Sequence, residues 1–128
     1  MNDHSPTWQR GAVNLFNDAT LDTVSTVCGL LSNQRRQFVV FYLASIPEQW
    51  VSVSEVSRWV TAVYYDQSIS ESRGAEYKNV RESMRHTHVD VLEEADVVKV
   101  DDRGTEMRRG PRFERVAAVL VHLLAASL

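Results

Sequence analysis

The 128-residue chain has one cysteine, Cys28, with only three prolines and five glycines. A single thiol excludes an internal disulfide framework and suits a reducing cytoplasm. No apolar run approaches the roughly 18 uninterrupted residues of a membrane-spanning helix, so no membrane is expected among its partners. The opening MNDHSPTWQR lacks a basic end followed by an apolar stretch, so no signal peptide is read there. Lysine is scarce as well: Lys78 and Lys99 stand against 12 arginines. Isoleucine is likewise outnumbered by 19 valines, a usage that suits a GC-rich genome. The net charge of -3 suits a salt-rich cytoplasm. A pI of about 5.8 argues against a generic nucleic-acid coat, since such domains lie above roughly 9. There is no glycine-rich phosphate loop, no cysteine–histidine arrangement with an orienting third group, and no carboxylate pair distinct from surface charge. No enzyme is therefore expected. His86 and His88 are two residues apart and fall on different helix faces, so no metal site and no cofactor are expected.

The chain does have 44% apolar and 24% charged residues, the balance of one globular domain. Residues 1–18 read as a polar arm or short helix with scattered apolar residues, among them Trp8, Val13, Leu15 and Phe16. Thr20 can cap a helix through Leu30 whose apolar face holds Leu21, Val24, Val27, Cys28 and Leu31. Ser32 can cap the next, to about Ser45. Its FVVFYL run is apolar nearly all round and so expected to be central. Pro47 stops it. Val51-Ser52-Val53 is a minor strand or a helix start. Ser52 to Glu55 reads as a capping box, followed by Val56, Trp59, Val60 and Val63 at helical spacing. Residues 67–74 form a polar loop. Ala75 to Ala95 is the longest periodic segment, with Tyr77, Val80, Met84, His88, Val91, Leu92 and Ala95 on one face. A hairpin over Val97–Val100, a turn at Asp102–Thr105 and Glu106–Gly110 follow, then a helix from Phe113 to Leu128.

Charge is sorted along this order. Residues 77–88 carry Lys78, Arg81 and Arg85 against Glu82, a net +2. Residues 89–102 carry Lys99 against six carboxylates, a net -5. Residues 103–115 carry five arginines against Glu106 and Glu114, a net +3. The expected fold is mainly α with a small β-hairpin: a winged helix-turn-helix over 19–111, dimerised through terminal helices, with 112–128 the dimerisation helix. The two basic patches then fall on the recognition helix and on the wing.

Several segments also resemble the haloarchaeal winged-helix, PadR-like transcriptional regulators. They are Leu31-Ser32-Asn33-Gln34-Arg35-Arg36, Val51-Ser52-Val53-Ser54-Glu55-Val56, and His86-Thr87-His88-Val89-Asp90-Val91-Leu92 with Ala95-Asp96-Val97-Val98. The resemblance covers about residues 20–110. It implies a homodimeric DNA-binding regulator, within a group that includes regulators of the oxidative-stress response. Asp90 departs from the proline many members have there.

The candidate DNA contacts are Lys78, Asn79, Arg81, Ser83, Arg85 and His86 on the helix, with Arg103 at the hairpin tip and Arg108 on the return strand. Arginine reads guanine in the major groove, asparagine pairs with adenine, and a tip arginine suits a narrow minor groove. The plainer alternative is a solvated helix face and ordinary turn chemistry. Arg108 and Arg109 alternate faces, so at most one shares the side of the tip. His88, on the apolar stripe, reads as a satisfied core histidine. Cys28 is the one possible redox residue, although its apolar face favours burial. Phe113, Val116, Leu120, Leu123 and Leu124 are the expected dimer contacts, the alternative being that they close the monomer core. The expected partners are double-stranded DNA and a second copy of the chain, on a pseudo-palindromic operator. The rival reading is a winged-helix protein-interaction module without direct DNA binding.

Overall fold

A computed structural model describes residues 6, 7, 9, 10 and 18–128. Trp8, Val13, Leu15 and Phe16 lie outside the described residues, as does the side chain of Leu21. Helix α1 spans Asp18–Leu30, α2 Gln34–Ser45, and the two-residue strand β1 Val51–Ser52. Helix α3 spans Val53–Tyr64 and α4 Ala75–Ser83. A π-helical turn, Met84–His88, runs into α5, Val89–Glu94. Strands β2 (Val98–Val100) and β3 (Glu106–Arg109) precede α6, Phe113–Ala126. The protein is thus mainly helical with a small antiparallel sheet. That sheet has three strands in the order β1-β3-β2, so the hairpin gains a partner. Val51 pairs with Met107 and Val98 with Arg109.

Local chemistry sets these bounds. Thr20 lies inside α1 instead of capping it, because the helix starts at Asp18. Asn33, not Ser32, caps α2: its side chain accepts from the Arg35 and Arg36 N–H groups at 2.9 and 3.3 Å. Ser52 caps α3, its hydroxyl accepting from Glu55 N–H at 2.9 Å. The loop after α3 contains a short 3-10 turn at Ile69–Glu71, and Ser72 is buried there against Ser68 O.

The core sits between α2, α3, α4–α5, the sheet and the first half of α6. Val39, Val40, Leu43, Val56, Val60, Val80, Met84, Leu92, Val97, Val98, Met107 and Phe113 are almost completely buried. Three periodic readings are shifted. Among the described side chains of α1, Leu30 is buried with Leu31 just beyond it and Val27 packs against the core, while Val24 is half exposed. On α2 the run is not buried all round, since Phe41 stays 43% exposed. On α3 the packed face includes Ser57 and Thr61, each hydroxyl bonded to the carbonyl four residues back at 2.7 Å. Those bonds let two polar residues enter the core, and Val63 turns outward.

The long periodic segment also changes pitch. Val89 N–H bonds to Met84 O, five residues back. The extra residue in that turn puts Val89 beside Met84 and His88 in the core and leaves Val91 only half-buried. Gly110 then lets the chain pass under the end of α5. A Cβ there would lie 2.5 Å from Asp96 O.

Candidate nucleic-acid interface

Helix α4 turns Tyr77 and Val80 inward, so the residues between them face out. Lys78, Asn79, Arg85 and His86 are exposed, and Arg81 is half-buried at the flank of that face. No ion pair holds Lys78, Arg81 or Arg85 among the described residues. His86 Nε2 lies 3.1 Å from Glu82 Oε2, an exposed pair one turn apart. Ser83 does not join the outward row. It is half-buried, accepts a hydrogen bond from Arg35 and donates to Val80 O at 3.2 Å, so it holds α4 against α2.

The hairpin tip is organised by one carboxylate. Asp101 Oδ1 accepts from Thr105 N–H at 2.8 Å and Glu106 N–H at 3.1 Å, and Oδ2 accepts from the Thr105 hydroxyl at 3.0 Å. The Glu106 N–H bond is the largest cause that holds this carboxyl below its ordinary value, with the Thr105 and Gly104 bonds adding to it. Gly104 takes the left-handed φ of +69° that closes the turn. Arg103 is exposed at this tip and carries no ion pair among the described residues.

The second basic run does not stay together in space. Arg108 faces the outer side of the sheet but is engaged: Nη2 donates to Glu48 at 3.2 Å, and the guanidinium lies 5.5 Å from the Trp50 ring centre. It is therefore not a free cation beside the tip. Arg109 turns to the opposite face, where it bonds Leu43 O and Ile46 O at 2.9 Å and Glu114 at 2.9 Å. Arg112, just before α6, and Arg115, in its first turn, are exposed beside Cys28 and α1. Of the five arginines in this run, only Arg103 remains a free charge on the hairpin.

His88 is buried at 6% exposure, with Nδ1 3.3 Å from Arg36 Nη1. Since Arg36 can only donate, His88 Nδ1 accepts, and the ring is neutral. Burial first, then the charges of Arg36 and Arg35, push its pKa below the ordinary 6.5. Arg36 also donates to Leu30 O and Gly29 O at 2.8 and 3.0 Å, closing the C-terminus of α1. The Arg35-Arg36 pair is thus an internal clamp. One cation was not marked in advance: Arg58 of α3 lies 5.5 Å from the Tyr77 ring centre, and its Nε is buried without a hydrogen-bond partner. Nothing in its spacing distinguished it from a solvated surface arginine.

Two apolar surfaces differ from expectation. Cys28 is exposed, because the last turn of α1 turns Leu30 inward and Cys28 outward. Phe113, Val116 and Leu120 are 1–4% exposed and belong to the monomer core, so they are not available to a partner. Leu123 and Leu124, at 53% and 43% exposure, remain available. Leu124 borders an apolar groove of about 260 Å³ shared with Phe41, Trp59 and Val63. Trp59 is the centre of that wall, stacked with Phe41 and edge-on to Phe38. Among the described residues no trio of His, Cys, Asp or Glu could hold a metal ion, and no helix is long and apolar enough to cross a membrane.

The fold and this surface define a small helix-rich protein with a three-stranded sheet and an exposed, partly cationic helix. Residues 28–108 match the family described as Domain of unknown function (DUF7344), and the chain belongs to that family. No curated protein and no solved structure matches the chain. The family segment runs from the last turn of α1 to β3, so it includes α4, the hairpin and the Arg35-Arg36 clamp.

Proposed function

We propose that this chain is a non-enzymatic, sequence-specific transcriptional regulator of the cytoplasm that binds DNA as a homodimer through a winged helix-turn-helix. The observation that carries the reading is the unpaired row Lys78, Arg81 and Arg85 with Asn79, on the helix that leads into a β1-β3-β2 sheet. The order helix, short strand, helix, helix and hairpin, with the first strand added beside the last, supports the winged-helix reading. In this reading α4 enters the major groove, Arg103 meets the flanking minor groove, and Arg58 on its Tyr77 support contacts a phosphate. His86 contributes by hydrogen bonding once it leaves Glu82. The PadR-like resemblance and an oxidative-stress role belong to the same proposal. The dimer forms through the outer end of α6, where Leu123 and Leu124 are exposed and Leu124 shares a groove with Phe41 and Val63.

The test is binding to labelled genomic fragments by anisotropy, titrated in potassium chloride up to molar concentration. Selective binding is expected, lost in Lys78→Ala/Arg81→Ala/Arg85→Ala and in Arg103→Ala while the fold is retained. Residual nonspecific binding of the triple variant should show a log–log salt slope shallower by about 2.7, from about 0.9 per lost phosphate contact. Absence of selective binding at every salt, from a folded protein, refutes the reading. The Phe41, Trp59, Val63 groove favours a second reading, a winged-helix module that docks a protein. Undiminished activity of the triple variant in cells would select it.

A further inference from the structure

A second groove, of about 290 Å³, lies between α1 and α6. Its walls are Val24 and Val27 on one side and Val116 and Val119 on the other, with Arg112 and Arg115 on its border. Arg112 is the residue that precedes α6 and Arg115 lies in its first turn, and both line the same groove. Glu114, between them in sequence, pairs with Arg109 instead, at 2.9 Å. Neither arginine carries an ion pair among the described residues. A water-exposed apolar slot with two uncompensated cations on its border is complementary to one ligand chemistry, an apolar body with an anionic head.

We propose that this groove binds a small amphipathic organic anion, its hydrocarbon part between α1 and α6 and its carboxylate held by Arg112 and Arg115. The volume is at the low end for ligand sites, which fits a chain of about eight carbons or a single aromatic ring. The site also reaches the DNA-facing helix. Ala95, the residue that closes α5, lines the groove, and Asp96 O accepts from Arg112 N–H at 2.9 Å. A ligand that tightens this junction bears on the end of the α4–α5 helix. That regulatory step, unlike binding itself, rests on the DNA-binding reading.

Cys28 lines the groove and is exposed, so it reports occupancy. The rate at which a thiol reagent labels Cys28 is measured in full-length protein with octanoate, octanol or octylammonium. At about ten times its dissociation constant octanoate is expected to slow labelling about elevenfold, because only the free fraction reacts. Octanol and octylammonium at the same concentration should leave the rate within about twofold. Arg112→Gln/Arg115→Gln, at exposed positions, should fold normally and lose the octanoate effect. Equal protection by octanol, or none by octanoate, overturns the proposal. So does labelling that slows with protein concentration, which would put a second copy in the groove. Labelling slow from the outset relative to the unfolded chain would mean that the chain itself covers the groove, and it too overturns the proposal. A separate measurement compares DNA affinity with and without octanoate in both proteins. Protection without a change in DNA affinity removes the regulatory step alone. Failure to bind DNA at all refutes the regulator reading and leaves the labelling result standing.

Discussion

Arg108 and Arg109 are adjacent in sequence and opposite in consequence, and Arg109→Met with Arg108→Met measures the difference. Methionine keeps most of the aliphatic stem of each side chain, so what is lost is the guanidinium. Arg109 donates to Leu43 O and Ile46 O, at the end of α2, and lies 5.0 Å from the Phe113 ring centre. A cation at a helix C-terminus satisfies carbonyls that the helix cannot. Its side chain is only 20% exposed, so water replaces these bonds incompletely. Hydrogen bonds from a charged donor are worth about 1.5–3 kcal/mol each, and part is regained by hydration, so about 2–4 kcal/mol should be lost. The Glu114 partner is 78% exposed and adds little. For a chain of this size each kcal/mol is about 4 °C, so Tm should fall by roughly 8–16 °C. Arg108 pairs with Glu48 at 33% and 53% side-chain exposure, and its contact with Trp50 is a surface one. Its removal should cost at most about 1 kcal/mol. Urea unfolding with unchanged m-values is the assay. Equal losses in the two variants, or a loss below about 1 kcal/mol for Arg109→Met, would refute the assignment of Arg109 as the tie between β3 and α2.

The pH dependence of the same unfolding midpoint should have two stages. His88 has a folded pKa below its ordinary 6.5, so the unfolded chain binds the proton more readily. Its contribution is complete above about 6.5 and is lost as pH falls from there towards the folded value, and His88→Gln should flatten that stage. Asp101 has a folded pKa below its ordinary 3.8, so its contribution persists above that value and is lost as pH falls through the lower folded one. Asp101→Asn should remove this second, more acidic stage, and an unchanged profile in either variant would contradict the corresponding contacts. Gly110→Ala forces a Cβ to within 2.5 Å of Asp96 O and 2.9 Å of the Val97 carbonyl carbon, so a backbone shift costing about 1–3 kcal/mol is expected in calorimetry. Gly104→Ala meets no atom within 4 Å and should lose only about 1–2 kcal/mol, from its left-handed φ. Leu124→Asp should shift sedimentation from dimer to monomer without unfolding the chain, and a persistent dimer would move the interface elsewhere.

Element order was legible because each helix carries a local signal that tertiary packing did not need to override. Ser52 before Glu55, Pro47 after α2 and Gly104 in the hairpin turn each act within one turn of chain. Legibility failed where burial was decided by partners distant in sequence. The α1 stripe favoured a buried Cys28, but Arg36 from the next helix holds the end of α1 so that Leu30 turns inward and Cys28 outward. The α3 stripe missed Ser57 and Thr61, whose hydroxyls are satisfied by their own helix and so tolerate the core. The π turn was invisible to a period of 3.6, and the Val89 N–H bond to Met84 O, with the burial of Val89 beside Met84 and His88, reveals it.

The charge pattern shows the same division more sharply. From α4 into the π turn that continues it, the sequence order of Lys78, Arg81 and Arg85 is also their order along the chain's helical path, because continuous helical backbone keeps local spacing nearly intact. Between 103 and 115 the chain turns at Gly110 and begins a new helix at Phe113. Five arginines that look like one patch are therefore distributed over a hairpin tip, two faces of a strand, the residue before α6 and the first turn of α6. A local net charge is evidence for a surface only where the backbone is a single regular element. Across a turn it says how many cations must be placed, and their neighbours decide which remain free. By that standard Arg103 stays a free cation for the proposed interface, Arg108 and Arg109 become structural, and Arg112 and Arg115 belong to the groove beside α1.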